Sequence, residues 1–272
     1  MELQRLTAGM EPIVREATFE GVSERPYVAL NPDQLTIRVE RGAVAHLVVL
    51  HSEPTESEVQ IMVAEGGSLT INELFTAEAF ASVSVSQLAD SRLKLTSVEL
   101  GSANARYTID LKGAHAESEV NGVFLTGDAE HAELSIRTNH LVADCSSRSI
   151  ARGVAGGRSV GRFEGMVYVA QDAQRTDAEQ QNRNLLLSEK ARIETMPQLE
   201  IYADDVKCSH GATVGQIDDD AILYMRQRGL SEQAARRVLL EGFVGDVVSR
   251  CEAGGELCEA LASEVESKLG KL

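Results

Sequence analysis

With 272 residues, 43% of them apolar and 25% charged, the chain has the makeup of a globular protein that can bury its core without disulfides or a structural metal. A formal net charge of −16 argues against a polyphosphate partner such as nucleic acid, and no apolar run approaches the roughly 18 residues of a membrane helix. The N-terminus lacks a basic start followed by an apolar stretch, so the expected compartment is the cytoplasm, and Cys145, Cys208, Cys251 and Cys258 are expected as thiols rather than disulfides.

Residues 1–33 carry Pro12, Pro26 and Pro32 and read as an irregular lead-in. From 34 to 216 short runs with strand character follow one another. One series begins at Leu35, Val59, Val83, Arg106 and Glu133, and the other at His46, Leu69, Leu93 and Glu119. Each series repeats at about 24 residues and lengthens toward its end, which is the period of stacked coils with two strands each. A β-sandwich of hairpins also accommodates short strands at this spacing. Two-residue hairpin turns are scarce, however, because Asn121-Gly122 falls inside a run, and this favours a β-helix.

The texture changes after Ile217, and 217–272 reads as a small helical domain. Asp218 is placed to cap a first helix that Gly229 ends, and Ser231 to cap a second with Ala235, Leu239, Phe243 and Val247 on one face. A last helix near 255–269 carries Leu257, Leu261, Val265 and Leu269.

The chain has no phosphate-binding loop of the Gly-x-x-x-x-Gly-Lys-Ser/Thr type, no His-Glu-x-x-His helix and no Gly-x-Ser-x-Gly elbow. The Gly-rich stretch 151–165, ARGVAGGRSVGRFEG, is read as tight turns and close-packed coils. The densest set of ligand types is DDVKCSHGATVGQ, residues 204–216. On a strand Cys208 and His210 point to one face, a thiol and an imidazole suited to a soft or borderline metal. Two ligands do not close a site, so a partner would supply the rest; the alternative is a packed thiol beside a hydrogen-bonded histidine. His46, His51, His115, His131 and His140 show no ligand spacing and are expected on the surface or in turns. Cys145 is expected as a packed thiol, and Cys251 and Cys258, seven apart in the tail, as structural.

Three blocks carry a resemblance: QDAQRTDAEQQNRNLLL, MPQLEIYADDVKCSHGATVG and DDDAILYMRQRGLSEQAARRVLLEGF. Together they cover roughly residues 144–250 and are similar to the SufB/SufD family of iron–sulfur cluster assembly scaffolds. The resemblance implies a mainly β chain, a right-handed parallel β-helix followed by a C-terminal helical domain. It implies dimerisation through the end of the β-helix, with a SufB-type subunit or a second copy, and a SufC-type ABC ATPase held by the helices. A cysteine desulfurase would supply sulfur indirectly. The chain would then be a non-enzymatic scaffold with no intrinsic cofactor, handling a transient iron–sulfur cluster or iron shared with a partner chain.

Carried over by residue, His210 matches the family histidine at the dimer interface and Cys208 a nearby SufD cysteine. SufB proteins flank that histidine with Glu, where this chain has Ser209 and Gly211, and they place a sulfur-accepting cysteine where it has Arg183. Both departures point to the SufD type. Tyr224, Arg228, Gly229 and Phe243 are the candidates for the ATPase-binding surface. The competing reading is a structural or binding solenoid with no part in cluster chemistry. A carbohydrate-active β-helix would want aromatic sugar platforms, and aromatics here are only 4%.

Overall fold

The structure, a computed structural model, describes residues 2–7, 10–23 and 25–272. Among these a short helix, α1 (Glu2–Thr7), precedes a run of strands. The first six are β1 (Glu11–Pro12), β2 (Glu16–Phe19), β3 (Tyr27–Leu30), β4 (Gln34–Val39), β5 (Val44–His51) and β6 (Thr55–Val63). The middle six are β7 (Ser68–Phe75), β8 (Ala79–Gln87), β9 (Arg92–Glu99), β10 (Ala103–Leu111), β11 (Glu117–Thr126) and β12 (His131–His140). The last five are β13 (Ser146–Ala155), β14 (Val160–Val169), β15 (Thr176–Leu186), β16 (Arg192–Ile201) and β17 (Val206–Gly215). Helices α2 (Asp219–Gln227), α3 (Glu232–Val248) and α4 (Gly255–Leu269) follow.

The odd-numbered strands form one parallel sheet in sequence order, and the even-numbered strands a second. Each coil thus contributes one strand to each sheet, which is a parallel β-helix. Val44 lies opposite Ser68 and Ser68 opposite Arg92, steps of 24 residues. Later coils are longer, with Glu117 opposite Ser146 and Val160 opposite Arg192. The even strands alternate buried and exposed residues, as β6 does throughout, because their outer face meets water. The middle odd strands are buried on both faces, which is why LVVL of β5 is a continuous apolar run, although β7 buries Thr70, Asn72 and Glu73 in the same setting.

Turns leading into the odd strands repeat one conformation. Gly42, Gly66, Asp90, His115, Asp144 and Arg175 all have φ between 58° and 68°. Gly42 and Gly66 meet this demand without a Cβ, and the later turns use residues that tolerate it less well. Asp144 and Arg175 sit on successive coils and form a two-pronged ion pair at 2.5 and 2.6 Å.

Part of the expected irregular lead-in is regular: residues 11–30 hold three short strands that begin the coils. Met1, Ala8, Gly9 and Glu24 of that stretch lie outside the described residues. The Gly-rich stretch packs as its sequence suggests. A Cβ on Gly153 or Gly161 would come within 2.2–2.3 Å of the Phe124 ring, so the two glycines make room for it inside the coil.

The helices do not form a core of their own. The outer face of the odd sheet, with Val48, Leu50, Leu74, Val98, Val123, Leu125 and Val154, packs against Leu240, Val244 and Val247 of α3, Leu257, Leu261 and Val265 of α4, and Leu3 of α1. The caps match the sequence: the Asp218 carboxylate accepts from the backbone N–H groups of Asp220 and Ala221, and the Ser231 hydroxyl from that of Ala234. The α3 stripe is rotated from the expected one. Its buried residues are Ala235, Leu240, Val244 and Val247, with Leu239 and Phe243 at the margin, because α3 lies flat on a sheet and presents an i, i+4, i+7 row. Among the described residues no helix is long and apolar enough to cross a membrane.

Candidate functional site

The solenoid has an uncovered end. Strands β16 and β17 are the last of their sheets and have no further strand beside them. Side chains that would be buried in a middle coil are partly exposed here, and Val214 and Ile201 are open to solvent. Such an end presents unpaired backbone groups and a half-covered core, the surface that a further strand pair would complete.

Cys208 and His210 lie on this last odd strand. Cys208 is in register with Ala178 and His210 with Gln180, both buried inward-facing residues of β15. Register partners in a parallel sheet share a face, so Cys208 and His210 belong to the inward row of the terminal coil. Cys208 is half-buried against Val167, Val169, Ala178 and Ala203. Burial pushes its thiol up from the ordinary range; a backbone hydrogen bond with Ala178 opposes this and Asp177 adds to it. His210 is exposed.

Behind them the interior is polar. Gln180, Asn182 and Asn184 are buried in the inward row of β15. The Asn184 amide donates to Asn182 Oδ1 at 2.5 Å and to the Thr213 carbonyl at 3.1 Å, and the Thr195 hydroxyl donates to Asn182 Oδ1 at 2.8 Å. Buried Gln180 Nε2 has no hydrogen-bond partner. The end therefore offers one imidazole, one thiol and a wall of amides. As metal ligands they are two donors of the soft-to-borderline type, short of a closed set. Among the described residues no group of three or more His, Cys, Asp or Glu is placed to hold a metal ion.

Arg183 stands on the other face of the same sheet. It is exposed and close enough to buried Arg152 to disfavour that residue's charge. Arg152 is held by Asp246 of α3 at 2.8 Å, and its guanidinium lies over the Phe243 ring at 5.9 Å. Of the four tail candidates, three come together: Tyr224 is exposed at the end of α2, Arg228 stacks on its ring at 4.4 Å, and Gly229 takes φ +98° to end the helix. Phe243 is apart from them, half-buried between α3 and the solenoid.

Two histidines expected on the surface are fully buried. His51 Nε2 lies 2.8 Å from Glu73 Oε1, and the Tyr107 hydroxyl donates to Glu73 Oε2 at 2.9 Å. His140 Nε2 lies 2.8 Å from the Ser147 hydroxyl. Parity held the missed signal. Counting by twos from Ala132 through Leu134, Ile136 and Thr138 reaches His140, so it had to face inward. His115 does sit in a turn, and Cys145 is packed, donating to the Gly113 carbonyl at 3.2 Å.

The sequence is similar to known proteins over most of its length. Residues 23–243 match the family model described as the SUF system FeS cluster assembly, SufBD core domain. The chain is 34% identical over 174 residues to the iron–sulfur cluster assembly protein SufD of Escherichia coli (strain K12), covering 63% of this chain and 40% of that protein. It is 36% identical over 176 residues to a SufBD family protein of Synechocystis, covering 62% and 38%. A SufBD family protein of Mycobacterium leprae is 29% identical over 264 residues, covering 85% of this chain and 66% of the relative. The chain thus spans about two fifths of the length of the first two relatives. The family model covers most of the chain, from the first coils of the β-helix through its last strand and into α3, and the chain therefore belongs to the SufBD family of the SUF iron–sulfur cluster assembly system and is SufD-like.

Proposed function

We propose that the chain is a SufD-like scaffold subunit whose open solenoid end joins a partner of the same fold, a SufB-type subunit or a second copy, and contributes His210 to a shared site where a cluster is assembled. The observation that supports this is the position of His210: exposed, on the inward row of an edge strand that, among the described residues, pairs with β15 on one side and with no strand on the other. Cluster iron and sulfide are cargo, and the partner supplies the remaining ligands. Cys208 is a secondary donor. It would have to lose its proton on binding iron, at a cost that its burial raises.

The exposed end of α2, with Tyr224, Arg228 and Gly229, is the proposed dock for a SufC-type ATPase. Phe243, the fourth candidate, is half-buried under Arg152 and would support the dock by holding α3 on the solenoid. ATP-driven approach of two such ATPases would be transmitted to the solenoid through the apolar seam that α3 and α4 share with the odd sheet.

His210→Ala tests the site. We expect a folded variant, by circular dichroism and by dimer size, whose complex yields clearly less iron and sulfide than wild type. Undiminished yield would sink the role. For the dock, Tyr224→Ala is expected to weaken capture of the ATPase, with Leu223→Ala as a neighbouring exposed control. Equal capture by wild type and Tyr224→Ala would place the dock elsewhere.

A further inference from the structure

The proposed scaffold role leaves Cys251 and Cys258 without a task, yet their setting is specific. Cys251 is 6% exposed, at the end of α3 among Leu240, Val244, Leu257 and Leu261. Cys258 is half-buried in the first turn of α4, and its Sγ donates to the Cys251 carbonyl at 3.0 Å. Both are free thiols. Burial, and after it the neighbouring Cys258 sulfur, push the Cys251 thiol far up from its ordinary range.

The joint between the two cysteines combines a held side with a free side. Glu252 donates its backbone N–H to Asn72 Oδ1 at 3.2 Å and pairs with Lys94, and Arg250 reaches Glu119 at 2.7 Å, so the joint is pinned to the odd sheet. A Cβ on Gly254, with φ +94°, or on Gly255 would meet nothing within 4 Å among the described residues, so the turn between the cysteines has room for the shift that an S–S bond needs.

We propose that Cys251 and Cys258 form a dithiol–disulfide site that reacts with hydrogen peroxide. The more exposed Cys258 sulfur attacks the peroxide O–O bond and takes one oxygen as sulfenic acid, and the other oxygen leaves as water. The Cys251 sulfur then attacks the sulfenic sulfur and forms the S–S bond. The hydroxyl leaves with the Cys251 proton as a second water. The two sulfurs are oxidised and the peroxide is reduced to two waters. The product ties the end of α3 to the first turn of α4 where both lie on the solenoid, and a thiol reductant reverses it.

The test uses the intact chain, reduced, freed of reductant, treated with hydrogen peroxide and then alkylated under denaturing conditions for peptide mapping. We expect loss of two of the four thiols, a Cys251–Cys258 cross-linked peptide lighter by two hydrogens, and full reversal by dithiothreitol. Cys251→Ala should remove the cross-link and let Cys258 proceed to sulfinic acid, and Cys258→Ala should leave Cys251 reduced. The wild-type chain decides the matter even where a variant folds poorly. A wild-type product with Cys258 over-oxidised and Cys251 alkylated would overturn the proposal. So would a disulfide between other cysteines, or two unreacted thiols at these positions.

Discussion

Glu99 is the least comfortable side chain in the solenoid. It is fully buried, and among the described residues neither carboxylate oxygen has a hydrogen-bond partner. Burial first, then Glu73 and Glu133, push its carboxyl well above the usual range. The folded chain therefore holds a proton that the unfolded chain releases near the ordinary pKa of about 4.3. That contribution is fully present below this value and is lost as pH rises toward the folded pKa. Glu99→Gln removes the titration, so its urea midpoint should exceed that of wild type at about pH 8 and approach it at about pH 4. An unchanged difference between the two pH values would rule out Glu99 as the source. His140 acts with the opposite sign. Burial lowers it to about 4, so its contribution is present above about 6.5 and is lost as pH falls through that window. Loss of that slope in His140→Gln, read from the same titration, is the check. Gly153 makes a packing prediction at this scale. A Cβ there meets Phe124 and Asn184 Oδ1 at 2.2 and 2.4 Å, so Gly153→Ala should cost about 1–3 kcal/mol by denaturant unfolding. Alternation made the inward direction of these residues legible, but not what each would meet, because facing side chains come from coils some 24 to 32 residues apart.

At the scale of elements, α3 and α4 were legible as helices from their caps and apolar spacing, and every apolar position expected on α4 is buried. On α3 Ala235 and Val247 are buried as expected, whereas the middle of the row is displaced by one residue, from Leu239 and Phe243 to Leu240 and Val244. An i, i+4 series defines a line on a helix, and the surface against which it packs selects which neighbouring line is buried. Here the sheet also supplies a charged partner. Arg152 is 5% exposed and satisfied by Asp246, and Asp246→Ala would leave that cation buried and unpaired. We expect a loss of roughly 1–3 kcal/mol, discounted toward the lower figure because Asp246 itself is half-exposed. Double substitution to Arg152→Met with Asp246→Ala should recover part of that loss; no recovery would mean that Asp246 acts through something other than Arg152.

At the scale of the whole molecule the solenoid and the tail share one apolar seam, since the outer face of the odd sheet is covered by α1, α3 and α4. A chain ending at Gln216 would expose Val48, Leu50, Leu74, Val98, Val123 and Leu125 together. It should aggregate or bind a hydrophobic dye during purification, where the full chain does not. A monodisperse, dye-negative truncation would show that the tail is dispensable for the body. The coil architecture was readable before any coordinates, because a two-strand coil repeats its apolar pattern at a fixed chain interval and the residues themselves carry that interval. The Cys208–His210 pairing on one face was readable for the same reason, being a matter of local parity. Three things depended on contacts between distant segments and so appeared only in the folded chain: the pairing of His51 with Glu73, the seating of Phe243 over Arg152, and the openness of the terminal coil that leaves His210 exposed. Local periodicity sets which way a side chain points, whereas its surroundings are set by whichever coil or helix the fold brings alongside.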